Sequence, residues 1–566
     1  MDDYLFGDLR NPEYRAIRLG KSQQGVRHNW EIDPLIPAAG DRPTLTVRIE
    51  LDQRVEKVTC RLLEPENQDV RLSLVKIEWD ELNWSYRQVW QGQLPARRDG
   101  ELVQYKVLAT LAGDAAPIEA DDNTTFAYLV GEATPPAWSQ EAIIYQIMPD
   151  RFHPGHGRSW NPVSKADDIY GGTLRGIIEN LDYIQDLGFN CLWLNPFFPD
   201  QTHHGYHATD YLTVNPRLGS LEEMRELVEG AHAREIRLLL DFVANHWGSE
   251  HPFFRAAQAD RESEYYPWFF WKDWPQGYET YFKVRQLPKL NTEHPGVRNY
   301  LLESASFWLK EVGFDGLRLD YAHGVSLNFW TWFRKEIKSI KPQAWLIGEV
   351  TDSPAAQTKF AGRLDGCLDF LLAQVLRNTF AIDRMNLSQL DAFLELHEGY
   401  IPEFYSRPSF LDNHDMDRFL HLAAGDKRKL KLAAMCQFTL SGPPIVYYGT
   451  EAGVIQKRSV RDPRGVGLPE SRQAMLWGAD QDQDLHAFYQ WLIHLRRDHP
   501  VLATGERQTL KVDDQARTYS YKRFDPVEQV TVALNLSAEP RSLDVEGHVF
   551  QLPPQSGDLR IDSITS

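Results

Sequence analysis

The chain has 566 residues, 42% hydrophobic and 25% charged, a globular composition too long for a single core; at roughly 150 residues per domain it holds about three or four. With 61 Lys and Arg against 80 Asp and Glu the formal net charge is −19, which argues against nucleic acid and anionic membrane as partners and leaves a neutral substrate open. The acidic start, Met1-Asp2-Asp3-Tyr4, lacks the apolar core of a signal peptide, and no apolar run approaches the ~18 residues of a membrane span, so a cytoplasmic location is expected. Cys60, Cys191, Cys367 and Cys436 are scattered without metal-ligand spacing and read as reduced, buried thiols.

Residues 1–132 read as an N-terminal β domain, an immunoglobulin-like sandwich. Residues 44–51 and 103–108 alternate with the period of half-buried strands. Between them Trp79, Trp84, Tyr86 and Trp90 crowd one stretch. They serve either as sandwich core and strand packing, or as a sugar-stacking face or subunit contact. Residues 131–136, with two prolines, read as a linker.

From about residue 140 apolar strands and helical stretches alternate. Strands are expected at 142–147, 189–194, 236–243, 317–320, 345–349, 368–372, 409–411 and 445–448, with the first two helices at 173–187 and 221–233. Eight strands joined by helices predict an α/β fold, a closed (β/α)8 TIM barrel over residues 139–504. About fifty residues separate the third strand from the next helix near Val297, and they hold Tyr265, Tyr266, Trp268, Phe269, Phe270, Trp271 and Trp274. A structureless loop of that length is uncommon. Residues 247–296 are therefore read as an inserted subdomain over the barrel mouth, its aromatics forming either its core or a stacking wall for sugars. Alternation returns near Gly505, as in residues 530–536, and predicts a small C-terminal β domain over 505–566.

Three acids end strand-like runs. Asp320 closes Gly316-Leu317-Arg318-Leu319-Asp320, Glu349 closes Trp345-Leu346-Ile347-Gly348-Glu349, and Asp415 closes Phe410-Leu411-Asp412-Asn413-His414-Asp415. Barrel strands end on one face, so these acids converge on one pocket, and facing acids are the equipment for cleaving glycosidic bonds. Arg318 lies two residues before Asp320 and points the same way on a strand; a fixed cation there favours an ionised Asp320. Two neighbouring anions in turn favour a protonated Glu349 at rest. His203, His204 and His207 could suggest a metallohydrolase, but no paired acidic ligand spacing accompanies them.

The third strand ends Asp241-Phe242-Val243-Ala244-Asn245-His246. With Gly-x-Arg-x-Asp at 316–320, Gly-Glu at 348–349 and Asn-His-Asp at 413–415, in this order and at barrel-like intervals, residues 140–500 resemble the α-amylase family, glycoside hydrolase family thirteen. Tyr278-Glu279-Thr280-Tyr281-Phe282, Leu287-Pro288-Lys289-Leu290-Asn291, the run Ile144 to Phe152 and Gly171-Gly172-Thr173-Leu174 are similar to its neopullulanase and cyclomaltodextrinase branch, whose members also carry an N-terminal β domain. The resemblance implies that Asp320 is the nucleophile, Glu349 the general acid/base, and Asp415 the acid that holds sugar hydroxyls. It implies that Asp241 buttresses Arg318, that Asn245 supports the site, and that Tyr206, His246 and His414 grip the sugar at the cut. His204-Gly205-Tyr206-His207 matches a sugar-binding loop of the family.

The chain departs from that pattern in places. Many amylases hold calcium through the Asn of the first motif and an Asp where this chain has Lys289; an ammonium cannot ligate calcium, so no cofactor is expected there. The loop at 153–160 is poor in the oxygen ligands that relatives use for a second calcium. Thr351-Asp352 replace a Trp-His pair, and His323-Gly324 an Asn-Glu pair; both border the leaving-group side, where His323 becomes a candidate substrate contact. The implied activity is retaining hydrolysis of α-1,4 links in maltooligosaccharides, cyclodextrins or pullulan, with α-1,6 links a further candidate. A transglycosylase or isomerase on the same site is the alternative, and a non-catalytic glucan-binding or assembly protein the remote one. The N-terminal domain would bind glucan or build a homodimer.

Overall fold

The computed structural model describes residues 5–51, 54–113 and 116–564; the remaining residues of the expected terminal domains lie outside it. Its first element corrects the all-β expectation. Gly7–Arg10 forms a 3-10 turn and Pro12–Gln23 a helix, α1. The Asn11 side chain caps α1 by accepting from the Glu13 and Tyr14 N–H groups, and Pro12 fills the first turn, where an N–H has no partner anyway. Only Gly20 of the helix is buried, so it shows no apolar face that a periodicity reading would register.

Antiparallel strands follow as two layers. Gln68–Asp80 belongs to both: residues 68–72 pair with Val55–Glu64 and residues 73–80 with Ser85–Gln93, and the register shifts between Leu74 and Lys76. A strand that changes partner lets a sheet fold over its own core, here Val47, Val58, Leu72, Tyr105 and Phe126. The crowded aromatics divide. Trp90 joins the core, whereas Trp84 and Tyr86 stand 74% and 73% exposed beside Trp79.

Eight parallel strands form the barrel: β1 (Ile144–Ile147), β2 (Cys191–Leu194), β3 (Arg237–Val243), β4 (Gly316–Asp320), β5 (Trp345–Gly348), β6 (Gly366–Cys367), β7 (Ser409–Phe410) and β8 (Pro444–Tyr447). They pair in chain order, β8 returns to β1, and β6 meets β7 through the Gly366–Ser406 bridge. Trp193, Leu239, Trp345, Ile347, Phe410 and Ile445 fill the interior.

Two expected elements move. β6 precedes residues 368–372, which instead enter the helix Phe370–Leu376, capped by Asp369; periodicity cannot separate a short buried strand from a buried helix. The single helix expected at 173–187 is two, Leu174–Ile178 and Leu181–Leu187. Between them the Asn180 side chain donates to the Gly176 carbonyl at 2.7 Å, competing with backbone pairing.

After β3 the chain builds a helix, Pro252–Ala259, and a small hairpin, Trp271–Asp273 with Gly277–Tyr278. Phe254, Trp268 and Phe269 are buried there, and Phe253 stacks on Tyr265 at 4.1 Å. The N-terminal domain docks on the barrel through Gln104 donating to Asn328 and Arg363 donating to the Ala127 carbonyl. Strands Glu506–Asp513, Thr518–Phe524, Glu528–Asn535 and Ser556–Ser563 form a C-terminal sheet. The four cysteines are free and buried. Among the described residues no helix is long and apolar enough to cross a membrane.

Candidate active site

The strand register explains how the charged centre assembles. Asp241 of β3 lies opposite Arg318 of β4, and Val243 opposite Asp320. Arg318 and Asp320, two residues apart, share a face. One guanidinium nitrogen of Arg318 therefore reaches Asp241 Oδ1 and Asp320 Oδ1, each at 2.8 Å, and the other lies 3.0 Å from Glu349 Oε1, just beyond the end of β5. The Tyr321 N–H donates to Glu349 Oε2 at 2.8 Å. Asp241 is fully buried and also accepts from Trp193 Nε1 and the Tyr206 hydroxyl.

One cation thus faces three carboxylates. Burial pushes the Asp320 carboxyl well above the ordinary carboxylate range; Arg318 opposes this, and the Glu349 and Asp241 charges add to it. Burial therefore works against the ionised Asp320 that Arg318 favours. The guanidinium is divided among Asp241, Asp320 and Glu349.

Asp415 follows β7 by five residues. His414 Nε2 lies 3.0 Å and Arg472 Nη2 2.9 Å from its two oxygens. Burial would raise this carboxyl, but His414, Arg472 and Arg318 outweigh it and hold Asp415 below its usual range. Arg472 also donates to the His414 carbonyl at 2.8 Å. Tyr206 sits parallel to His414, ring centroids 5.4 Å apart, and its hydroxyl accepts from Asn195 and donates to Asp241. Gly205 makes this turn possible: its φ is +79°, and a Cβ there would lie 2.1 Å from the Pro196 carbonyl.

Two cavities meet over these acids. One, of about 520 Å³, is lined by Glu349, Asp415, Tyr321, His323 and Asp352. The other, of about 620 Å³, is lined by Asp320, Asp415, Tyr206, His246 and Arg472. Tyr281 and Asp415 border both, so the two are lobes of one cleft. Each lobe has the size of a ligand site. Burial pushes His246 down to about 3, leaving a neutral imidazole whose Nε2 is buried without a partner. His323 is likewise lowered by burial, and its Nδ1 has no partner. Asn245 sits behind them, its Nδ2 3.2 Å from His246 Nδ1.

The cleft draws its aromatic wall from residues other than the 265–274 run. Tyr281 and Phe282 face the 520 Å³ lobe, with Phe282 67% exposed and 5.2 Å from the Tyr321 ring. Residues 265–274 supply the subdomain's own packing. His203, His204 and His207 line the other lobe; burial, then Arg472, pushes His203 down to about 2. Among the described residues no three His, Cys, Asp or Glu side chains are grouped as metal ligands. The family's calcium position does not fit that ion. Asn245 Oδ1 is buried and unpartnered, but Lys289 pairs by its backbone with His246 and directs its ammonium over Phe270 at 5.8 Å.

Sequence reasoning missed three contributors: Arg472, Tyr281 with Phe282, and the segment from Leu5 to Arg18. Arg472 lies past β8 in a loop of no regular period, so no spacing argument reaches it. The Asn11-Pro12-Glu13 start signal was legible, but not the place to which its helix folds.

Residues 146–499 match the family described as "Alpha amylase, catalytic domain". The chain belongs to this α-amylase family and is a glycoside hydrolase. It is 30% identical to Alpha-amylase 2 of Dictyoglomus thermophilum over 571 residues, covering 100% of this chain and 97% of that one. It is 34% identical to Neopullulanase 2 of Thermoactinomyces vulgaris over 452 residues, 76% of this chain and 74% of that one. Among solved structures, a cyclomaltodextrinase superposes with a TM-score of 0.68 at 29% identity, covering 92% of each chain.

Proposed function

We propose that this enzyme hydrolyses α-1,4-glucosidic links in maltooligosaccharides and related short or cyclic α-glucans, with retention at the anomeric carbon. The observation that carries this reading is the Arg318 fork, which draws Asp320 and Glu349 to one guanidinium at the junction of two open lobes. In the first step an Asp320 oxygen bonds to the anomeric carbon while Glu349 gives its proton to the departing oxygen. Esterification removes the Asp320 charge. Glu349, now a base, takes a proton from water, and the water oxygen displaces Asp320. The mechanism requires the proton on Glu349 when the sugar binds, with Arg318 stabilising the ionised Asp320. Asp415, fixed by His414 and Arg472, accepts from sugar hydroxyls. Tyr206 and His246 hold the sugar on the Asp320 side, and His323 contacts the leaving-group side.

Incubation with maltotriose, β-cyclodextrin and pullulan separately, with products identified and their first-formed anomer read by NMR, tests this. Shorter maltooligosaccharides appearing first as the α-anomer are expected; the β-anomer, or no product from any of the three, would refute it. Excess acceptor sugar shifting the products to longer chains would mark the transfer reading instead.

We propose further that the N-terminal domain forms a homodimer contact. Trp84, Tyr86, Ile77 and Leu74 leave an exposed apolar patch on its outer face, 46–74% exposed. A Trp84→Glu/Tyr86→Glu variant is expected to sediment as a monomer where the parent is a dimer; a monomeric parent removes the proposal. The four free buried cysteines support a reducing, cytoplasmic setting.

A further inference from the structure

The 520 Å³ lobe has a second wall that no catalytic motif supplies. Leu5, Phe6, Leu9, Tyr14 and Arg18 line it opposite Glu349, His323 and Asp352. The segment is tied down at three points. Leu5 and Phe6 pack on the barrel-interior cluster that contains Phe370 and Met416, both of which also line the lobe. Arg18 Nη2 meets Asp352 Oδ2 at 2.7 Å across the cleft. Gly20 packs α1 onto the Leu82–Asn83 turn of the β domain, where a Cβ would lie 3.1 Å from Asn83 Oδ1. Apart from Gly20 the helix buries no residue, so core formation does not account for its position.

We infer that the segment from Leu5 to Arg18 sets the length of the leaving group: it forms the floor against which the first sugars beyond the cut are held, and it blocks a long glucan from running on. The inference rests on the proposed function, since Glu349 identifies this lobe as the leaving-group side. It also gives a reason for the chain's departures from its family pattern. Thr351, Asp352 and His323 all line the same lobe, and Asp352 supplies the anion that Arg18 requires. The chemistry of the wall suits a short sugar. Tyr14 and Phe6 offer faces for apolar sugar edges, while Arg18 and Asp352 offer a donor and an acceptor for hydroxyls. Both Tyr14 and Arg18 are about half exposed, so they can be replaced without opening a core.

The test is selectivity in the full chain. In an Arg18→Ala/Tyr14→Ala variant the ratio of kcat/KM for amylose over maltotriose is expected to rise roughly tenfold, the equivalent of one modest contact. Arg18→Lys, which keeps a donor toward Asp352, should return the ratio towards that of the parent. A ratio unchanged in the double variant, including the case in which both substrates lose activity together, overturns the inference. A second readout does not depend on turnover. In Asp320→Asn protein, bound maltotriose should slow amide hydrogen exchange across residues 5–18; unaltered exchange there with maltotriose bound counts against the wall. Protection in that variant, with a parent inactive on both substrates, would instead defeat the catalytic reading and leave the wall standing.

Discussion

Asp320→Asn is expected to reduce turnover of maltooligosaccharides by about 10⁴-fold or more, the scale seen when a covalent nucleophile is removed, while the protein melts at or above the parent temperature. Asp320 is buried among Glu349, Asp241 and Arg318, and its carboxyl lies well above the ordinary range. A carboxyl raised in the fold binds protons more readily there than in the unfolded chain. Stability through this group is then greatest below the unfolded value of about 4 and falls as pH rises toward the folded value. The amide carries no charge to desolvate. The gain in melting temperature should therefore be present at pH 7 and shrink below pH ~4. The same shift bears on catalysis: attack requires ionised Asp320, so the parent's acid limb of kcat/KM should stand above the ordinary carboxylate range. A variant that keeps its activity removes the nucleophile assignment. One that melts far below the parent at neutral pH removes the view that burying the Asp320 carboxylate costs stability.

The second large effect is selective by leaving group. Glu349→Gln is expected to lower hydrolysis of maltotriose by about 10³-fold, within the range for general acid catalysis, yet to lower that of an α-maltosyl fluoride much less. Fluoride departs without a proton, so its first step does not need the acid, whereas an alkoxide does. An added small anion such as azide should raise the variant's rate on the fluoride and yield the α-azide, because it attacks the glycosyl-enzyme without a general base. Equal losses on both substrates, with no gain from azide, would show that Glu349 positions rather than protonates. Its contacts make that outcome measurable. Arg318 and the Tyr321 N–H both hold its oxygens, and the amide retains the shape but not the charge.

Much of this chain was determined by local chemistry. The strand ends carrying Asp241, Arg318, Asp320, Glu349 and Asp415 were legible because a barrel buries its strands on all sides, so each reads as a short apolar run that breaks at one polar residue. Arg318 facing Asp320 followed from a two-residue period alone. The replacement at Lys289 excluded a calcium ligand on charge alone. Other features depend on contacts hundreds of residues apart and leave no periodic trace. Three carboxylates dividing one guanidinium is a property of β3, β4 and β5 lying in register, and the burial that comes with it opposes the ionised Asp320 that Arg318 favours. Arg472 reaches Asp415 from a loop beyond the last strand. The helix at 12–23 announces its own start in Asn11 and Pro12, yet its place across the cleft depends on distant partners, among them Asp352, 334 residues from Arg18, and the Leu82–Asn83 turn. Sequence patterns record which face of an element is buried; they do not record which distant surface covers an exposed one, and that part of this enzyme was decided in three dimensions.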